Sequence, residues 1–212
     1  MRDDVNIVDE HHRKELLSFL LVKTAAVRRG VKPVELLRVR HCYAGVNAEG
    51  LRVCLYRSDI YEILGLHYVE LRVEAESSLV LFYAPEVLAA TLEEPGNSRW
   101  LANMGYPKAD GIGCRPYHER CLDELVRRSQ GTKIPHEVGV FIGYPLKDVA
   151  GFIRNIPATP VHKGAWKVYG DAEESLARMR VYAHIEEEAR EVLDKVSGIG
   201  DFIELILFNK AS

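Results

Sequence analysis

Residues 135–149 read P-H-E-V-G-V-F-I-G-Y-P-L-K-D-V, with polar groups able to do chemistry on both sides of an apolar run. His136 and Glu137 stand at its entry. An imidazole beside a carboxylate can act as general acid and base near neutral pH, so these two are the candidate catalytic residues. Gly143, Tyr144, Pro145 and Lys147 stand at its exit. Glycine suits a tight turn and proline a first helical turn. N–H groups left free there, helped by Lys147, can hold a phosphate or carboxylate. A plain strand-to-helix turn with Tyr144 packed over it explains the same residues.

Two further clusters can carry chemistry. Residues 166–171, W-K-V-Y-G-D, read as a second strand-to-helix junction. If its strand runs parallel to 138–142, then Tyr144, Lys147 and Gly170-Asp171 share one sheet edge, where ligands of α/β folds bind, with Tyr169 beside them as a further ligand-binding candidate. Asp171 as a helix cap is the simpler account of that residue. The other cluster is Cys114, His118 and Cys121. Thiolate and imidazole at short spacing can ligate zinc or iron, and His118 and Cys121 fall on one helix face. The spacing lacks a C-x2-C pair, His41-Cys42 joins only if the fold brings it there, and a buried Cys121 explains the pattern as well.

The elements that must position these groups constrain them. Residues 138–142 predict an apolar strand, which puts His136 and Glu137 on opposite faces. A strand rises about 3.3 Å per residue, so His136 and Tyr144 are expected roughly 25 Å apart, too far to line one small pocket. Upstream, Asp9 caps a helix over 10–28, residues 34–40 form a short strand, and 47–64 read as a helix. Alternation over 67–73, a turn and the apolar run 79–83 predict a central hairpin, 66–83, with one exposed face. Helices follow over 85–93, 98–104, 117–128 and 145–154, a strand over 165–169, and a long helix from Asp171 to about residue 196. Residues 202–208 form a last strand or apolar tail. The echo of G-Y-P-x-x-D at 105–110 and 143–148 reads as shared turn chemistry, since the flanks differ.

The fold class expected is α/β or α+β, a mixed sheet of about 4–6 strands packed with helices. Residues 1–182 are expected to form a single α/β domain, with the helix end and apolar tail of 183–212 packed on it.

Composition narrows the function. The chain has 212 residues, 47% hydrophobic and 28% charged, with a net charge of −3. That is an ordinary soluble composition with no basic field for nucleic acid or anionic membranes. Four cysteines in a chain of this length make no disulfide framework. No secretory pattern or membrane-length apolar run is present, so a reduced, cytoplasmic protein is expected. Nucleotide-binding glycine motifs, the nucleophile elbow and the H-E-x-x-H zinc motif are absent.

Several segments together resemble one family. They are Lys32-Pro33 after the first helix, residues 79–83 before a short helix, Gly105-Tyr106, residues 135–149, and G-A-W-K-V-Y-G-D at 164–171. The chain resembles the domain-of-unknown-function 3793 family of anaerobic bacteria over residues 14–182. The resemblance implies a small cytosolic bacterial protein and assigns no activity or cofactor. The stretch after residue 183 reads as an extension beyond the family pattern.

The reading preferred from sequence is binding of a small anionic ligand at the junctions 143–147 and 169–171. A metal- or redox-linked accessory protein using Cys114, His118 and Cys121, and a scaffold protein without pocket chemistry, are the alternatives. The long helix and apolar tail suit a homo-oligomer.

Overall fold

The run Leu79-Val80-Leu81-Phe82 is apolar at consecutive positions, so a strand built on it must be covered on both faces. The structure, a computed structural model, describes residues 14–40, 43–46, 52–54, 57–110, 114–131, 133–154 and 160–195. In it this run forms the middle of β5 (Ser77–Tyr83), the central strand of a three-stranded antiparallel sheet. β1 (Val34–Arg40) and β4 (His67–Val73) flank it. The sheet divides its side chains cleanly. Val34, Leu71, Leu79 and Leu81 join one core, and Leu37, Val39, Val80 and Phe82 join another.

Helices cover each face. The first core is closed by α4 (Pro85–Glu93), α5 (Pro95–Asn103), α6 (Tyr117–Ser129), α7 (Val138–Ile142) and α8 (Leu146–Ile153). Leu88, Leu101, Leu125, Phe141 and Val149 are their buried contributions. The second core is closed by α1 (residues 14–23), α3 (Arg57–Leu64) and the end of α9 (Glu173–Lys195). Leu20, Tyr61 and Leu64 are buried there, with Val192 and Leu193 against them. Each large apolar side chain so buried contributes about 1.5–3 kcal/mol. α2 (Ala25–Arg28) packs Ala25 and Ala26 on Ile185 and Ala189 of α9. Two small antiparallel hairpins complete the described chain: β2 (Tyr43–Val46) with β3 (Arg52–Cys54), and β6 (His162–Lys163) with β7 (Lys167–Val168).

The fold is therefore α+β, with fewer strands in its main sheet than the 4–6 expected and only antiparallel pairing among the described residues. The hairpin over 66–83 is present, but β5 has no exposed face, because a continuous apolar run is buried on both sides. Among the described residues of 47–64, Arg57–Leu64 is helical and residues 52–54 form β3. The strand expected over 165–169 shrinks to Lys167–Val168 in a hairpin. Asp9, the pair His41-Cys42 and residues 202–208 lie outside the described residues. No helix among the described residues is long and apolar enough to cross a membrane.

The largest correction concerns residues 138–142, which form helix α7 and not a strand. A short apolar run fits a buried strand or a buried helix equally well. Its ends decide the matter. The N–H groups of Val138, Gly139 and Val140 close at 3.2, 3.2 and 3.0 Å on the carbonyls of Pro135, His136 and Glu137, which starts a tight turn. At the far end Gly143 takes φ +89°, a left-handed conformation that favours glycine. Gly143 N–H then bonds Val140 O at 3.1 Å, and Tyr144 N–H bonds Gly139 O at 2.9 Å. This pair of bonds is the Schellman helix ending. The echo at 105–106 is the same ending on α5. Gly105 sits at φ +85°, its N–H bonds Ala102 O at 3.0 Å, and Tyr106 N–H bonds Leu101 O at 3.0 Å. Shared turn chemistry thus accounts for the repeated G-Y-P. With 138–142 helical, no parallel sheet edge joins 143–147 to 169–171, and residues 143–145 are a helix-to-helix turn that leads into α8.

Candidate functional site

A helix rises about 1.5 Å per residue, less than half of a strand's rise, so α7 brings its two flanks together. His136, before the helix, and Tyr144, after it, line one cavity of about 640 Å³. α7 supplies Val138, Gly139 and Ile142, α8 supplies Asp148, Val149 and Phe152, and the β6–β7 hairpin supplies Trp166 and Lys167. Arg72 of β4 and Lys133 complete the basic side.

Gly139 sets the spacing of the two helices. A Cβ there would lie 2.9 Å from Val149 Cγ2 and 3.1 Å from Tyr144 Cδ2, so α8 and the Tyr144 ring approach α7 as only glycine allows. Tyr144 stacks on Trp166 with ring centroids 4.3 Å apart and planes 20° apart. Burial pushes the Tyr144 phenol up to about 12, with the charges of Glu35 and Tyr182 adding to it. At the exposed end Phe152 meets the His136 ring edge-on, centroids 4.8 Å apart, and carries Lys167 Nζ 5.1 Å from its ring centre.

Asp148 holds the inner wall together. It is 2% exposed and accepts four hydrogen bonds. Oδ1 receives Lys147 Nζ at 2.9 Å and the Tyr169 N–H at 2.8 Å. Oδ2 receives the Trp166 indole N–H at 2.9 Å and Ser175 Oγ–H at 2.6 Å. Burial opposes ionisation of this carboxyl, but the four donors outweigh it and hold its pKa below the ordinary value. The clamp ties α8 to the hairpin and to the first turn of α9.

Glu137 points away from the cavity. Its Oε1 accepts Arg128 Nη1 at 3.0 Å and the Tyr106 hydroxyl at 3.3 Å. Arg128 also donates to Glu124 at 2.6 Å and to Met104 O at 2.8 Å, and its guanidinium lies 4.3 Å from the Tyr106 ring centre. Side-chain bonds from Arg127 and Arg128 hold the Glu124 carboxyl down to about 2. This network pins the turn before α7 to the end of α6. His136 and Glu137 do face apart, as expected, although from a turn and not from a strand.

The other candidates fall in several places. Gly143 O accepts Arg178 Nη1 at 2.7 Å. Lys147 Nζ is bound to Asp148, to Tyr169 O at 3.2 Å and to Ser175 Oγ at 2.8 Å, facing α9. The Tyr169 ring packs on Gly151, and exposed Asp171 accepts the Glu173 N–H at 3.1 Å near the start of α9. Of these ligand-binding candidates only Tyr144 lines the cavity. Cys114 is exposed, His118 is half-buried, and Cys121 is buried in the core with its thiol pushed up to about 11 by burial. No group of three metal-ligating side chains comes together among the described residues.

Sequence reasoning missed Phe152, Val138 and Ile142 as cavity wall, and Ser175 as the fourth donor to Asp148. The signal for Phe152 was available, since it is a large aromatic on the outer side of a short amphipathic helix. Nothing local marked Ser175, which lies 27 residues from its partner.

The fold and site define a class: an α+β protein with its small antiparallel sheet between helices and a cavity between α7, α8 and the last hairpin. A family model described as Protein of unknown function (DUF3793) matches residues 20–203, and the chain belongs to that family. The match runs past residue 183 to residue 203, so α9 through Lys195 is part of the family pattern and not an extension of it. No curated protein and no solved structure matches the chain.

Proposed function

We propose that this protein binds a small anionic molecule with an apolar body, and that the cavity lined by His136, Tyr144, Phe152, Trp166 and Lys167 is its site. The observation that carries the reading is the cavity itself. Its volume of about 640 Å³ suits a small ligand, its wall is apolar and aromatic, and its charged rim is basic. This moves the anion site away from the junctions 143–147 and 169–171, because Lys147 is bound to Ser175 of α9 and Asp171 to the Glu173 N–H at its start. Among the described residues the cavity lining places no serine, threonine or cysteine beside His136, and the reading is one of binding.

Titration with 8-anilinonaphthalene-1-sulfonate tests the reading. Enhanced dye fluorescence at one equivalent is expected, and it should be lost in Val138→Trp, which fills the cavity from α7. Circular dichroism checks that the variant is folded. No enhancement with the native chain, or equal enhancement in a folded Val138→Trp, would contradict it.

A further inference from the structure

The polar groups of the cavity say more about its ligand than its volume does. Asp148 is an acid in the wall, yet both its oxygens are filled by four protein donors. The Trp166 indole N–H is used in the same network. The first N–H groups of α7 close on carbonyls of its own turn, so this helix start offers no free donors to an anion. A ligand polar group placed deep in the cavity would meet none of these as a partner and would lose its hydrogen bonds to water. These groups therefore favour a ligand with an apolar body.

The rim is the opposite. Arg72, Lys133, His136 and Lys167 bring only basic side chains to it. Arg72 is bound to Glu74 and to Gly131 O. Among the described residues no carboxylate pairs with Lys133 or Lys167. Lys167 and His136 meet on Phe152, which places cationic and imidazole groups where the apolar wall ends. The wall beneath is a rigid stack of Tyr144 on Trp166, with the indole plane locked through Asp148. Flat rings pack on fixed aromatic walls in offset or edge geometries that a flexible chain does not reproduce.

We infer that the ligand is a planar aromatic monoanion of the arylcarboxylate class, its ring against the Tyr144–Trp166 wall and its carboxylate on Lys167 at the rim. This deepens the reading above and rests on it. Lys167 is then the residue that determines charge specificity, and Trp166 the one that determines ring specificity.

Trp100 and Trp166 are the two tryptophans of the chain, so Trp100→Phe leaves Trp166 as the sole indole reporter. The full-length Trp100→Phe protein is titrated with 2-naphthoate, its methyl ester and decanoate, following binding calorimetrically and Trp166 emission alongside. Naphthoate is expected to bind at one equivalent, about tenfold or more tighter than either the ester or decanoate. Lys167→Glu should weaken naphthoate about tenfold and leave the ester unchanged, with thermal melting confirming a folded variant. Decanoate or the ester binding as tightly as naphthoate would overturn the inference while leaving a cavity that binds apolar molecules. If none of the three bound, and the naphthalenesulfonate dye also failed, the reading of the cavity would fall with it.

Discussion

His136 and Tyr144 stand on opposite sides of α7 and line the same cavity. Eight residues of strand would separate them by roughly 25 Å, and eight of helix by about 12 Å. The conformation of five apolar residues therefore decides whether the two polar ends of this segment serve one site or two. The helix joins them, and Gly139 and Gly143 allow the helix to sit where it does.

Gly143 is expected to be the more sensitive of two left-handed glycines. Gly143→Ala forces a Cβ to 2.8 Å from Pro33 Cδ at φ +89°. Gly170→Ala meets nothing within 4 Å, at φ +67°. The second change should cost about 1 kcal/mol from backbone strain alone, and the first about 2–4 kcal/mol with overpacking added. Urea unfolding of both variants checks the order. Equal losses would show that the contact with Pro33 relaxes freely.

Asp148 should make the fold sensitive to acid. Its folded pKa is held below the unfolded value, so its contribution is present at neutral pH and is lost as pH falls from the ordinary carboxyl range through the folded value. Glu124, held at about 2, acts in the same direction. Melting temperature should therefore drop steeply below about pH 4. In Asp148→Asn that drop should be shallower, from a start lowered by about 2–4 kcal/mol, because an amide replaces two acceptor oxygens with one. A variant with the native acid profile would remove Asp148 from this role.

The Arg128–Glu137 pair should behave as a coupled unit. Glu137 is 8% and Arg128 21% exposed, so removing either leaves a poorly hydrated charge. Glu137→Ala or Arg128→Ala should each cost about 3–5 kcal/mol. The double variant should lose less than the sum, by about 1–3 kcal/mol. A double-mutant cycle in denaturant measures this, and strict additivity would contradict a direct interaction.

Much of the frame was legible in the chain. Pro85 marked the start of α4, the alternation of residues 67–73 marked β4, and Gly105 and Gly143 marked turns, because each is a local signal with a local cause. What was not legible depends on partners far along the chain. Leu79 to Phe82 are buried on both sides because helices from both ends of the sequence cover them. Residues 138–142 carry no period that separates helix from strand, and as a strand they would split the site in two. Lys147 looked free for an anion, while Ser175 and the Tyr169 carbonyl, 28 and 22 residues away, claim its amine.

The central claim is that His136 and Trp166 report one ligand site, and side-chain NMR tests it most directly. The His136 Cε1–H and Trp166 Nε1–H resonances are assigned by substitution and followed during titration with 8-anilinonaphthalene-1-sulfonate. Both should shift along one saturation curve with a single Kd, and both responses should vanish in folded Val138→Trp. No shift at either resonance, or two resonances that follow different curves, would contradict it.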